Sequence, residues 1–284
     1  MKQVTHNYKS GAIRLQETSI PALKPGGVLV ETRYSLISAG TEGMRIREGN
    51  MSPLEKAKAR PDQVKKVLQS IQQQGIAATF EKVMGKLDSL SPLGYSLSGV
   101  VTAVGQDAVE FREGQPVACA GAGYASHAEV NFVPRNLVVP VPDSVSLQHA
   151  AFTTVGAIAM QGFRRGELQV GETACVIGLG LIGQLLVQIL KAAGIKVVGV
   201  DLSRERCALA VEQGCDAAFG ADDPALLHAV RRISAGAGAD CVFIAASSDT
   251  SGPVELAASL ARDRARVVGV GKTRIELPYN DYYG

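Results

Sequence analysis

From residue 174 onward the chain alternates between two hydrophobic periods, and that alternation predicts the architecture. Short apolar runs at 174–177, 196–200, 217–219, 241–246 and 266–270 have the length and near-continuous hydrophobicity of buried parallel strands. After the first run, Ile182, Leu185, Leu186, Ile189 and Leu190 fall at i, i+3, i+4, i+7 and i+8, the stripe of a helix that stops at Gly194. Further helical stretches are expected at 204–213, 224–233 and 253–262. Strand and helix in strict turn read as a doubly wound α/β domain over 151–284. Before residue 150 the pattern is different. Short runs at 27–34, 97–104, 115–119, 127–133 and 137–139, punctuated by Gly and Pro, predict a β-rich, barrel-like domain over 1–150.

An insertion over 52–91 interrupts that first domain. Val64, Val67, Leu68 and Ile71 repeat the helical spacing between Pro61 and Gly75, and Phe80, Val83, Met84 and Leu87 do so after Thr79. Two amphipathic helices are expected there. Between Glu55 and Asp88 seven Lys or Arg stand against four Asp or Glu, which makes the polar faces mildly basic. Such faces suit a lid or packing element, and would also suit contact with an anionic substrate group or a partner.

The loop between the first run and its helix carries the chemistry. Gly178, Gly180 and Gly183 stand in the order G-x-G-x-x-G, and Asp201 closes the next strand 18 residues after Gly183. This is the dinucleotide-binding fingerprint in its full strand-turn-helix-strand context. Gly178 permits the tight turn, Gly180 lets a pyrophosphate approach the backbone, and Gly183 lets helix and strand pack closely. Leu181 and Ile182, in the first helical turn, offer free N–H groups and the positive end of the helix dipole to the phosphates. A carboxylate at Asp201 accepts hydrogen bonds from ribose hydroxyls and repels a 2′-phosphate, so NAD(H) is favoured over NADP(H). Ser203, Arg204 and Arg206 follow at once; they read either as a partial phosphate pocket, with Arg206 placed to meet the cofactor, or as the solvated first turn of the next helix.

Composition narrows the class further. The 284 residues are 46% hydrophobic and 20% charged, enough for a sizeable core and about two domains. A net charge of +2 gives no reason to expect nucleic acid or a membrane surface as partner. With no run of 18 apolar residues and a polar start, the expected location is cytoplasmic. The five cysteines show no C-x-x-C pair, so they are expected as reduced thiols.

These features together resemble the medium-chain dehydrogenase/reductase family, the zinc-type alcohol dehydrogenases and their zinc-free relatives. The likeness rests on a small-strand domain first, then GLGLIG, with GVVTAVG at Gly99 to Gly105. The segments SLISAGTEGM, PLGYSLSGVV, VACAGAGYASHAEV and AAFTTVGAIAMQGFR are similar to the zinc-free subgroup found as the N-terminal half of bi-domain oxidoreductases. The resemblance implies a GroES-like catalytic domain followed by a Rossmann domain, and hydride transfer between a nicotinamide cofactor and a carbonyl or alcohol. A sugar or sugar-nucleotide derivative is the substrate it suggests.

The zinc enzymes need three protein ligands and one open position. At the matching positions this chain has Ala39, Tyr95 with Ser96, and, about where the third ligand would stand, Val155; the four-cysteine structural lobe is missing too. Neither a catalytic nor a structural zinc is expected. Hydride transfer then needs another way to hold and protonate the reacting oxygen. Tyr95 has a phenol to donate, Thr41 matches the family's proton-relaying hydroxyl, and Glu42 matches its second-shell acid; these three are the catalytic candidates. Tyr95 also reads as a filler of the volume a metal would take. His127 reads by residue type as a general base, but it lies in the strand-like run ASHAEV, which resembles a structural segment of the family, and that second reading is preferred. His6, His149 and His228 have no companion acid nearby in sequence.

Five strands follow residue 170, where a doubly wound dinucleotide domain has six. The chain is therefore expected to be a fragment of a longer protein, with the open sheet edge covered by a second copy or by an attached C-terminal domain. Three functional readings stand at this point: a zinc-free NAD(H)-dependent oxidoreductase, an NADPH-dependent quinone or enoyl reductase, and a catalytically silent NAD-binding module.

Overall fold

A computed structural model describes residues 1–8, 10–52, 55, 61–75 and 90–282. The chain divides into two compact units, Met1–Thr154 and Val155–Gly284.

The first unit is built on two antiparallel sheets. The larger has the order β7-β3-β5-β6-β8, formed by β3 (Gly27–Ser35), β5 (Ser96–Val104), β6 (Pro116–Ala120), β7 (Val130–Pro134) and β8 (Val138–Pro140). The smaller has the order β2-β1-β4, from β1 (Lys2–Asn7), β2 (Ile13–Glu17) and β4 (Leu90–Pro92). Two register shifts in the β3–β5 pairing, between Leu29 and Val30 and between Thr32 and Tyr34, curl the larger sheet around its core. That core is Val28, Val30, Leu97, Val101, Val117 and Val133, inward positions of their strands, with Phe111 from the loop between β5 and β6. Four of the five expected runs appear close to their predicted bounds. The fifth starts at Val130 instead of residue 127, so His127 precedes the strand.

Helices supply the rest of this unit. The run after β3 folds as α1 (Ala39–Asn50), which the hydrophobic pattern did not announce: Gly40, Gly43 and Gly49 lower its helix propensity, and it carries no apolar stripe. The first expected helix of the insertion is α2 (Pro61–Gln74), opened by Pro61 and stopped at Gly75, with Val64 exposed and Val67 and Ile71 half-buried. The second, expected over 79–87, lies outside the described residues. A short α3 (Leu147–Ala150) is held against β5 by hydroxyls. Ser96 Oγ donates to the Ala151 carbonyl at 2.7 Å, and Ser98 Oγ to that of Leu147. α4 (Thr153–Gly166) follows and runs across the boundary of the two units.

The second unit is a five-stranded parallel sheet of order β11-β10-β9-β12-β13. Its strands are β9 (Thr173–Ile177), β10 (Lys196–Val200), β11 (Ala217–Phe219), β12 (Ala239–Ile244) and β13 (Ala261–Gly269). Counted within the unit the order is 3-2-1-4-5, the doubly wound arrangement, whose switch point falls between β9 and β12. Helices α5 (Leu181–Ala192), α6 (Arg204–Glu212), α7 (Leu226–Ile233) and α8 (Gly252–Leu260) connect the strands, and a short α9 (Tyr279–Tyr282) ends the described chain. Two buried clusters cover the sheet: Val176, Leu186, Leu190, Val197 and Phe243 in one, Cys175, Val198, Val230, Val242 and Leu260 in the other. Alternate residues of one strand, such as Cys175 and Val176, thus feed opposite faces, as period-two side chains must. No helix among the described residues is long and apolar enough to cross a membrane.

Candidate active site

The turn between β9 and α5 has the geometry that its glycines imply. Gly178 takes φ +94°, and a Cβ there would lie 2.5 Å from the Ala246 amide nitrogen. A Cβ on Gly183 would lie 2.0 Å from the Gly178 carbonyl oxygen. Both positions therefore exclude a side chain by backbone contact. Gly180 is the opposite case: a Cβ there meets nothing within 4 Å, so its backbone faces open space at the N-cap of α5, where no side chain caps the helix. Helix amides with free N–H groups beside an open approach are what a pyrophosphate requires. The residues fit a dinucleotide.

Asp201, one residue past β10, leans over this turn. One carboxylate oxygen accepts the Leu179 N–H at 2.7 Å, the other accepts the Ser203 N–H at 2.8 Å, and Arg206 Nη1 lies 3.7 Å away. The Asp201 side chain is 8% exposed and that of Arg206 58%. Ser203 is the N-cap of α6, with its hydroxyl accepting the Arg206 N–H at 3.4 Å, so Ser203, Arg204 and Arg206 form the solvated first turn of that helix. Sequence reasoning missed Gln184. Its amide donates to the carbonyls of Leu179 (3.1 Å) and Arg206 (2.9 Å), tying the glycine turn to α6.

In the first unit the catalytic candidates sit on two neighbouring segments. Thr41 and Glu42 occupy the first turn of α1; Tyr95 follows Gly94, just before β5. Thr41 and Tyr95 are half-buried, and among the described residues neither hydroxyl has a hydrogen-bond partner, which leaves both able to bind a ligand oxygen. Glu42 is committed. Its Oε1 accepts the Ser38 N–H at 2.9 Å, and its Oε2 lies 2.9 Å from His127 Nε2. The other ring nitrogen of His127, Nδ1, lies 2.9 Å from Ser35 Oγ.

His127 lies three residues before β7 and not within a strand, which corrects its placement in the run ASHAEV. Its ring is sequestered, with 10% of the side chain exposed against 4% for Glu42, and both ring nitrogens are engaged. Gly94 makes room for it: a Cβ there would lie 2.7 Å from the His127 amide nitrogen and 3.0 Å from Nδ1. The backbone is pinned as well, since His127 N–H donates to the Leu93 carbonyl and the His127 carbonyl accepts the Val4 N–H, each at 2.8 Å. Ser35 was missed too. The available signal was weak: an acid in a first helical turn and a glycine opposite the histidine.

The described side chains do not fit a zinc ion. Ala39 and Val155 carry no donor, and no group of three His, Cys, Asp or Glu is placed to hold a metal among the described residues. All five cysteines are free and buried. Desolvation pushes the thiols of Cys119 and Cys241 up to about 12 and that of Cys215 to about 11, and it raises Cys175 as well.

Residues 182–283 match the family model of zinc-binding dehydrogenases. The chain is similar to an (R,R)-butanediol dehydrogenase from Neisseria gonorrhoeae, 26% identical over 264 residues, covering 83% of this chain and 68% of that protein. Its fold is that of an alcohol dehydrogenase from Thermus sp. ATN1, with a TM-score of 0.75 at 19% identity over 99% of this chain and 81% of the other. The chain thus resembles the zinc-type alcohol dehydrogenases, in sequence over residues 182–283 and in fold over nearly its whole length. A D-guloside 3-dehydrogenase from Shigella flexneri is 29% identical over 177 residues, 61% of this chain. The chain spans 48% of that relative's length. The glycine turn and Asp201 lie in the second unit, and the family model covers a segment that contributes none of Ala39, Tyr95 or Glu42.

Proposed function

We propose that this protein is a metal-independent, NAD(H)-linked oxidoreductase that interconverts a secondary alcohol and a carbonyl on a polyhydroxylated molecule. The observation that carries the cofactor reading is Asp201. Its carboxylate is fixed by two backbone N–H groups beside the glycine turn, and each oxygen keeps lone pairs for ribose hydroxyls. A 2′-phosphate brought to the same place would meet a carboxylate shielded from water, and Arg206, largely exposed, offsets that repulsion only weakly. Relatives named for a butanediol and a guloside support the substrate class, since both molecules carry more than one hydroxyl.

NAD(H), when bound, supplies the hydride acceptor or donor. The chain's own residues do the rest. Leu181, Ile182 and Gly183 present N–H groups to the pyrophosphate, Asp201 accepts from the ribose, and the free hydroxyls of Tyr95 and Thr41 hold the substrate oxygen as its charge changes. Glu42 orients His127.

Calorimetric titration tests the cofactor reading. NADH should bind at least about tenfold tighter than NADPH, a difference of about 1.4 kcal/mol. Asp201→Ser should bring the two affinities to within about threefold of each other by weakening NADH. Tighter binding of NADPH by the unaltered protein would sink the assignment.

A further inference from the structure

The arrangement Ser35–His127–Glu42 has the form of an activated hydroxyl: a hydroxyl on one ring nitrogen, an acid on the other. The direction of its hydrogen bonds follows from Glu42. That side chain lies in the first turn of α1, at the positive end of the helix, and one of its oxygens already accepts the Ser38 N–H. A carboxylate accepts only, so Nε2 of His127 carries the proton between them. Nδ1 of the neutral ring is then the acceptor, and Ser35 donates its hydroxyl proton to it. Glu42 and His127 are buried; Ser35 is half-buried and is followed by half-buried Leu36 and exposed Ile37, so the serine is the outward member of the three. It also lies beside the Tyr95 segment, for Ser35 pairs with Leu97 and the Leu36 N–H donates to the Ser96 carbonyl at 3.0 Å. A buried acid–histidine pair is a poor stabilising device compared with apolar side chains of the same volume. Its place beneath a hydroxyl suits a chemical role.

We propose that Ser35, His127 and Glu42 form the proton relay of this enzyme, with Ser35 as the catalytic hydroxyl that exchanges a proton with the substrate oxygen. This rests on the oxidoreductase reading above and deepens it. In the oxidation direction a bound nicotinamide would take up the hydride from the substrate carbon, and the substrate's O–H proton passes to Ser35 Oγ. The proton of Ser35 passes to His127 Nδ1, and the C=O bond forms. The resulting imidazolium is held by Glu42 and later gives its proton to water. His127 accepts the proton; Glu42 is a positioning residue that fixes the tautomer.

Two measurements on the full chain test this. Nitrogen-15 NMR of the histidines needs no substrate: His127 should be protonated at Nε2 and bare at Nδ1 in the neutral ring. The reverse tautomer would overturn the relay. Kinetics with NAD and (R,R)-2,3-butanediol or an alkyl D-guloside should show kcat lowered about a hundredfold or more by Ser35→Ala and by His127→Gln, the usual worth of general acid–base catalysis. The double variant should be no more than about threefold worse than either single one, because the residues act as a unit. Imidazole added to His127→Ala should restore activity, which it would not do for a purely structural loss. NADH affinity should stay within about twofold in Ser35→Ala. If His127 variants fail to fold, Ser35→Ala and the tautomer still decide. NADH binding and turnover with Ser35→Ala unimpaired would overturn the relay alone; absence of NADH binding by the unaltered protein would overturn the oxidoreductase reading and the relay with it.

Discussion

Gly183→Ala should weaken NADH binding about a hundredfold and destabilise the second unit. The added Cβ would lie 2.0 Å from the Gly178 carbonyl oxygen, well inside the distance of any real contact. Both partners are backbone, so no rotamer change relieves the clash. Either α5 lifts from β9 or the glycine turn opens, and each moves the helix amides away from the pyrophosphate. Overpacking of this kind costs up to about 3 kcal/mol, which is roughly a hundredfold in Kd if it falls wholly on binding. Gly180→Ala is the internal comparison. Its Cβ meets nothing in the protein within 4 Å, so thermal unfolding should be nearly unchanged while NADH affinity falls, because the methyl occupies the phosphate's approach. Fluorescence titration with NADH beside thermal unfolding separates the two cases. Equal stability and equal affinity for Gly183→Ala and the unaltered protein would remove the physical basis of the cofactor site.

Glu42→Ala should be the most damaging single change in the first unit. It removes the acceptor of two sequestered donors, the Ser38 N–H and the Nε2–H of His127. Each orphaned donor costs about 1–3 kcal/mol, so a loss of roughly 2–6 kcal/mol is expected in denaturant unfolding. Glu42→Gln discriminates fold from chemistry. Its amide oxygen can still accept from Ser38, while its NH2 faces His127 Nε2 and rewards the opposite tautomer, with the ring proton on Nδ1. Ser35 then has no acceptor. Unfolding should therefore improve on Glu42→Ala, and turnover should stay as low as in Ser35→Ala. Recovery of turnover along with stability would mean that Glu42 only holds α1 in place.

What the chain disclosed from sequence and what it hid divide by distance along it. The glycine turn was legible because every part of it, from Ala174 to Asp201, lies in one strand-helix-strand unit whose periods announce each element. The doubly wound class was legible from the same alternation, whereas the strand order came from the structure. The polar cluster of the first unit was not legible, for His127 stands 85 residues from Glu42 and 92 from Ser35. Those separations close only because β3 and the segment before β7 meet across the curled sheet, whose register shifts leave no trace in a hydrophobic pattern. The same holds for α1. Its start is marked by Glu42 reaching back to the Ser38 N–H, in a stretch whose glycines lower helix propensity. The final strand offers a smaller instance: β13 begins at Ala261, five residues before its apolar run, with Arg264 at φ +60° in the irregular stretch where the pairing with β12 shifts register.

The departures from the zinc enzymes gain meaning from this cluster. Ala39 and Tyr95 stand where the resemblance leads one to expect metal ligands, and the acid that follows Thr41 is buried and bonded to a histidine. On the present reading a protonic device stands where the family's metal would polarise the substrate oxygen. The rate of NAD-linked alcohol oxidation after exhaustive dialysis against a chelator tests this most directly. The rate should stay within about twofold of the untreated protein, which should itself carry less than about half an equivalent of zinc. A rate that falls about a hundredfold and returns on addition of zinc would contradict it.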